Sequence, residues 1–220
     1  KQTLLFFGFK PELQVVEIWP GGGWYTEILA PALYDHGGYT AAHYHPDDNS
    51  RPYRPKLRQR FLAKLAAQPE RYGHVVVTEL DPPQHVAIAA QGSADLVLTF
   101  RNVHNWTKSG TDRAMFRAFH VALKSGGVLG VVEHRARAGT SLEAMKRSGY
   151  MTEDYVIRLA EAAGFRLDAR SEVNANPRDT TDHPEGVWTL PPTLRLKAVD
   201  RAKYLAIGES DRMTLRFVKP

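Results

Sequence analysis

Apolar runs of strand length alternate along this chain with stretches of helical period, and that alternation predicts the architecture. Leu13 to Trp19 carries Val15, Val16 and Ile18 in a near-continuous apolar run that stops at Pro20 and three glycines. An apolar run without polar alternation suits a strand covered on both faces. A helix is expected from Trp24 to about Leu33, with Ile28, Leu29 and Leu33 on one side, and Gly37-Gly38 turns into a second strand, Tyr39 to His45. Three prolines among Asp, Asn and Ser residues make 46–55 a loop. Lys56 to Ala67 then reads as a helix on Leu57, Phe61, Leu62 and Leu65.

His74 to Leu80 is the third expected strand, closed by Asp81-Pro82-Pro83, and Ala94 to Phe100 the fourth. Thr111 is a suitable N-cap for a helix on Met115, Phe116, Phe119, Ala122 and Leu123, with Ser125-Gly126-Gly127 as its stop. Val128 to Glu133 is the fifth strand. Thr152 and Gly164 bracket a further helix, and Phe165 to Val173 follows as the sixth strand. Met213, Leu215 and Phe217 alternate with polar residues, as in a seventh strand with one exposed face. Strand–helix alternation repeated this often implies right-handed crossovers. The expectation is one α/β domain over 1–220: a doubly wound, Rossmann-like, mostly parallel seven-stranded sheet with helices on both faces.

Ligands in such sheets sit beyond the carboxyl ends of the strands. The first strand ends in Glu17-Ile18-Trp19-Pro20-Gly21-Gly22-Gly23, where glycines let backbone approach a ligand and a helix N-terminus offers free N–H groups. A dinucleotide fingerprint needs G-x-G-x-x-G, but Thr26 stands where the third glycine belongs. The end of the second strand offers His43, Tyr44 and His45 rather than an acid. A nicotinamide enzyme is disfavoured.

The spacing E-x-x-x-G-x-G, with Glu17, Gly21 and Gly23, resembles the first motif of the class I S-adenosylmethionine-dependent methyltransferases. Ala94-Asp95-Leu96-Val97-Leu98 followed by Asn102-Val103-His104-Asn105 is similar to that family's fourth-strand motif. Leu123-Lys124-Ser125-Gly126-Gly127-Val128-Leu129, followed by Val132-Glu133-His134, resembles its turn into strand five. More narrowly, the stretch from Glu17 through Trp24-Tyr25-Thr26-Glu27 and the stretch Thr99 to Trp106 are similar to a bacterial group of methyltransferases, often made with export leaders. The resemblance implies S-adenosylmethionine as cofactor and methyl transfer to a small molecule. Glu17 would order the glycine turn, the N–H groups of Gly21, Gly22 and Gly23 would meet the methionyl end, Asp81 the adenine amino group, and Asn102 would lie beside the cofactor.

Two positions depart from the family pattern. Trp19 stands at the usual first glycine, and His43 at the usual acidic ribose ligand. Either Trp19 turns into the core, or its ring joins Trp24, Tyr25 and Trp106 against the cationic sulfonium, since a ring face attracts a cation. Neutral His43 replaces only part of a carboxylate's hydrogen bonding. The alternative to an enzyme is therefore a non-catalytic ligand- or partner-binding protein on the same fold. Methyl transfer to a hydroxyl or amine gains from a base near neutral pKa, so His104 and then His134, after strands four and five, are the candidates. Arg101 is placed to hold an anionic substrate, with Asn105 and Trp106 beside it. Tyr150, Trp188 and Arg178 belong to later loops that could form a lid.

Composition narrows the classes. The 220 residues contain no cysteine, which excludes disulfides, zinc knuckles and a thiol nucleophile. Net charge is +5, with the positive residues scattered, and a modest cluster at Arg51, Arg54, Lys56, Arg58 and Arg60 reads as a solvated helix face. The Asn-Pro-Pro-aromatic motif of nucleic-acid amino-methylating enzymes is missing after strand four, so nucleic acid is not the expected partner. No apolar run reaches the length of a membrane span. His43-x-His45 with Asp47 and Asp48 has metal-ligand chemistry but no third ligand placed by the sequence, and no metal is expected. No G-x-S-x-G elbow supports a serine triad. The absence of thiols, a first residue that is Lys1 rather than Met, and the resemblance to exported proteins lead to a periplasmic or secreted location, with the cytoplasm as alternative.

Overall fold

The first apolar run folds as β1 (Gln14–Ile18), and its side chains divide between two cores: Val15 packs on one face of the sheet, Val16 and Ile18 on the other. The same division recurs in the fourth strand, where Leu96 and Leu98 face one layer and Val97 the opposite one. This is why these strands carry unbroken apolar runs. The computed structural model describes residues 1–48 and 51–220; residues 49 and 50 of the expected loop 46–55 lie outside the described residues.

In chain order the elements are α1 (Gln2–Phe6), β1, α2 (Thr26–Leu33), β2 (Gly38–His43), α3 (Tyr53–Ala66), α4 (Pro69–Tyr72), β3 (Val76–Glu79), β4 (Ala94–Phe100), α5 (Val103–Ser109), α6 (Asp112–Ala122), β5 (Leu123–His134), α7 (Leu142–Ser148), α8 (Glu153–Ala162), β6 (Arg166–Ser171), a short 3-10 turn over Gly186–Thr189, α9 (Arg201–Ile207) and β7 (Arg212–Val218). They form one seven-stranded sheet in the order β3-β2-β1-β4-β5-β7-β6. All neighbours are parallel except those of β7, which runs antiparallel to both β5 and β6. The expected mostly parallel, doubly wound sheet is the observed one. Leu29, Leu33, Phe61 and Tyr72 cover one face; Trp106, Phe116, Phe119, Val156 and Leu159 cover the other.

Two local expectations are corrected, and one segment without a predicted element is helical. The stop of α6 comes at Ala122, not at Ser125, because Leu123 is buried and pairs with Ala94 at the start of a longer β5. The segment after β4 is helical: α5 carries His104, Asn105 and Trp106. The seventh strand has no exposed face. It lies inside the sheet, where Arg216 donates to the Phe6 carbonyl at 2.9 Å and its guanidinium covers the Phe6 ring, so α1 shields the polar positions of β7. Among the described residues no helix is long and apolar enough to cross a membrane.

Candidate functional site

The carboxyl ends of β1, β4 and β5 open into a groove of about 510 Å³, lined among others by Glu17, Trp19, Gly21, Gly22, Tyr25, Arg101, Asn102, His134 and Trp188. That is within the roughly 300–1,000 Å³ of small-molecule sites. One wall is the glycine turn. Gly21 and Gly23 adopt φ of +60° and +83°, a region that a side chain disfavours, and a Cβ on Gly23 would stand 3.1 Å from the Phe61 ring. The Gly23 N–H closes the turn on the Pro20 carbonyl at 2.9 Å. Lys64 of α3 donates to the Gly22 and Gly23 carbonyls at 3.2 and 3.4 Å and pairs with Glu27, holding the turn from outside.

Glu17 is fully buried and accepts hydrogen bonds from Tyr39 and from Thr26, the first residue of α2. Burial disfavours its charged form and raises its pKa to about 7, the two hydroxyl donors opposing the shift. One carboxyl thus ties β1 to the start of α2 and to β2. Asn102 performs a similar task between strands: its Nδ2 donates to the Ile18 carbonyl at 3.0 Å and to Thr99 Oγ1 at 3.3 Å.

His43 has both ring nitrogens engaged. The Tyr44 N–H donates to Nδ1 at 2.8 Å, so the ring proton sits on Nε2 and is given to the Gly21 carbonyl at 3.1 Å. Burial lowers its pKa to about 4, which keeps the ring neutral. His43 supports the glycine turn from behind and has no nitrogen left for a ribose hydroxyl. Trp19 takes the core-facing course. Its backbone is left-handed (φ +48°), its Nε1 donates to the Leu80 carbonyl at 3.0 Å, and its ring packs on Tyr44 and Trp106 at 4.7 and 5.8 Å. The cation on its face is the chain's own, the Arg54 guanidinium at 4.4 Å.

Beyond β5 stands a second constellation. Glu133, with no exposed surface, accepts three N–H bonds: from the His104 and His134 backbones at 3.1 and 2.8 Å, and from His104 Nδ1 at 3.0 Å. The carboxylate fixes the proton of His104 on Nδ1 and leaves the lone pair on Nε2. The two imidazoles lie 5.3 Å apart, Trp188 stands 6.0 Å from His104, and His134 meets Ser210 Oγ through Nδ1 at 2.5 Å. Burial, with His104, Arg212 and Arg101 nearby, drives the His134 pKa well below the ordinary value, so it is neutral at pH 7.

Arg101, like Trp19, is a non-glycine residue at positive φ (+60°), held by its N–H on the Val132 carbonyl at 2.7 Å. Its side chain lines both the main groove and an adjoining cleft with Arg212, and no ion-pair partner stands beside it among the described residues. Arg212 pairs with Glu209 at 2.7 Å, and burial plus the nearby Arg101 lowers its pKa. Tyr25 stacks on Phe100 at 3.5 Å, and Trp24 is largely exposed at its edge.

Of the residues expected at the site, Glu17, Trp19, Gly21, Gly22, Tyr25, Arg101, Asn102 and His134 share the groove, with Gly23, His43 and His104 directly behind its walls. Trp106 lies in the core beneath, and Asn105 and Asp81 are not in its lining. Lys64, Ser210, Arg212 and the Pro191-Pro192 edge were not singled out by the sequence, because they arrive from α3, from the segment between β6 and β7 and from the first residue of β7.

No known family's sequence profile matches the chain, and no curated protein matches it significantly. Solved structures do. A SAM-dependent methyltransferase from Aquifex aeolicus superposes with a TM-score of 0.64 at 14% identity, covering 100% of this chain and 88% of that one. A TehB-like SAM-dependent methyltransferase from Corynebacterium glutamicum gives 0.57 at 11% identity, with coverages of 100% and 86%. The [4+2]-cyclase SpnF gives 0.65 at 16%, with 100% and 78%. At such identities the likeness is one of fold. The chain has the Rossmann-like fold found in the S-adenosylmethionine-dependent methyltransferases.

Proposed function

We propose that this protein transfers a methyl group from S-adenosylmethionine to a small anionic acceptor. The observation that carries the reading is that one groove joins a glycine turn free of side chains to a histidine wall and to Arg101, which has no carboxylate partner among the described residues. Gly21 and Gly22 suit the amino-acid end of the cofactor and Asn102 its flank, whereas the Gly23 N–H, expected to share that contact, is spent on the Pro20 carbonyl. The fit is poorer at the nucleoside end, where Trp19 packs on Tyr44 and both nitrogens of His43 are used. Binding is therefore expected to rest on the amino-acid end and to be weak. When bound, the cofactor supplies an electrophilic methyl group on a sulfonium.

The chain's own residues supply alignment, which is the main catalytic lever in an in-line displacement. Arg101, with Arg212 behind it, orients the acceptor's anionic group. His104, its tautomer set by Glu133, is the base of this reading and takes the acceptor's proton on Nε2 once neutral His134 and Trp188, which line the groove in front of it, move aside. Calorimetry with adenosylhomocysteine and a turnover assay on hydroxylated aromatic carboxylates test the reading. His104→Ala is expected to lower kcat by about 10²–10⁴-fold, the usual worth of a general base, with adenosylhomocysteine affinity unchanged. Absence of binding at millimolar adenosylmethionine and adenosylhomocysteine would reject the cofactor. The second reading, a non-catalytic binding protein, is favoured by Trp19 and His43, and turnover of any acceptor excludes it.

A further inference from the structure

A second cluster stands at the neighbouring strand ends, outside the groove. β2 stops at His43, and the chain turns so that His43 and His45 part: one points to Gly21, the other to Glu79, the last residue of β3. After Glu79 the chain folds tightly back, with Asp81 and His85 exchanging N–H···O bonds of 2.8 and 3.1 Å, and this returns His85 over the same carboxylate. His45 Nε2 and His85 Nδ1 lie 3.4 and 3.6 Å from Glu79 Oε2, and the two rings stack at 4.1 Å and 24°.

From this we infer a divalent-cation site formed by His45, Glu79 and His85. The separations are longer than good N–H···O bonds, which centre near 2.9 Å. They match the edges of a tetrahedral shell instead: bonds of about 2.0–2.2 Å place neighbouring ligand atoms about 3.3–3.6 Å apart. All three ligand atoms lie within 4.8 Å of one another. Arg58 donates to the other oxygen of Glu79 at 3.3 Å, which leaves Oε2 to bind through a single atom. Two imidazoles and one carboxylate, with the fourth position open, suit zinc, cobalt, nickel or copper rather than magnesium or calcium. His85 is 41% exposed, so the site opens to solution. The buried trio His104, Glu133 and His134 is the poorer candidate, because Glu133 already accepts three N–H bonds and His134 Nδ1 is held by Ser210.

Loading requires two rearrangements. Near-parallel rings stacked at 4.1 Å keep their in-plane lone pairs apart, so one imidazole must rotate until both lone pairs meet on the ion. The Asp47 N–H donates to His45 Nδ1 at 3.2 Å, so the ring proton is now on Nε2. For Nε2 to bind a metal that proton moves to Nδ1, and the Asp47 amide turns away.

The test is calorimetry with zinc chloride on the full chain after dialysis against chelator, repeated with cobalt chloride read by its visible tetrahedral absorption. One equivalent of zinc per chain is expected. His85→Phe keeps the stacked ring without a lone pair, and Glu79→Gln removes the charge. Each should weaken zinc by more than the roughly 10–100-fold that loss of an outer-shell partner costs, with an unchanged circular-dichroism melt without metal. His134→Ala should leave zinc binding as it was. No heat with zinc at millimolar concentration, or equal affinity in the wild type and His85→Phe, overturns the site.

Discussion

Trp19 sets the main tension at the residue scale. Its left-handed backbone, φ +48°, is one that glycine adopts freely and a bulky residue does not. The strain persists because the indole is buried, donates to Leu80 and lies under Arg54. Trp19→Gly should separate the two terms. Removal of a buried tryptophan costs about 3–5 kcal/mol, and relief of backbone strain returns about 1 kcal/mol of it. A net loss of about 2–4 kcal/mol is expected in urea melts, with adenosylmethionine affinity rising about tenfold as the nucleoside end opens. Unchanged or weaker affinity would show that the indole does not obstruct the ligand. The substitution itself is visible in the sequence, as an aromatic residue at a glycine position. Where the ring goes is not, since it is decided by the Leu80 carbonyl just past β3 and a guanidinium of α3, both distant in the chain.

Elements were legible where apolar period and punctuation agreed. All seven strands overlap the segments expected for them, and Thr152 caps α8 with its side chain on the Tyr155 N–H. Legibility failed where tertiary contact overrode local signal. α5 is seven residues long, too short for a clear apolar period, and it buries Val103, His104, Trp106 and Thr107 against the rest of the fold. The junction of β1, α2 and β2 is a case where type was legible and energetics were not, because Glu17 looks like a motif acid and is in fact a buried carboxyl with a pKa near 7. The folded state holds its proton to higher pH than the unfolded chain does. Stability from this group is therefore complete below about pH 4.5, falls as pH rises towards 7, and is level above that. The fall is on the order of 3 kcal/mol at 1.36 kcal/mol per unit. Glu17→Gln cannot ionise, so its stability relative to the wild type should climb between pH 5 and 8 in paired urea melts. A constant difference across that range would mean that Glu17 titrates normally.

At the scale of the whole molecule, the groove is completed by the segment between β6 and β7 and the start of β7, which bring Trp188, Ser210 and Arg212 to the ends of β1, β4 and β5. The sequence offered Trp188 as a residue of a lid loop but gave no sign of Ser210 or Arg212, because the segment holds little period and its place is set by long-range polar contacts. Asp179 accepts from Tyr150, His183 and the Asp211 N–H, and Asn176 donates to the Ile207 and Glu209 carbonyls. The strongest tie is Arg135, just past β5. Its guanidinium donates to Asp211 at 2.9 and 3.0 Å, to Glu172 at 2.6 and 2.8 Å, and to Glu153 at 3.1 Å. Those bonds to three carboxylates hold its charge against burial. Without it, three negative groups from α8, the end of β6 and the start of β7 face one another. A fully buried pair broken this way costs about 3–5 kcal/mol, and solvent reaching this cluster reduces that to about 1–3 kcal/mol for Arg135→Ala. The loss should shrink as salt is added, since mobile ions screen the exposed carboxylates. The larger effect belongs to the segment. Limited trypsin digestion should cut the variant at Arg195, Lys197, Arg201 or Lys203 well before the sheet unfolds, and turnover should fall with that cleavage. If the variant is cut no faster than the wild type, the segment is held by its apolar and Asp179 contacts, and Arg135 is only a surface tie.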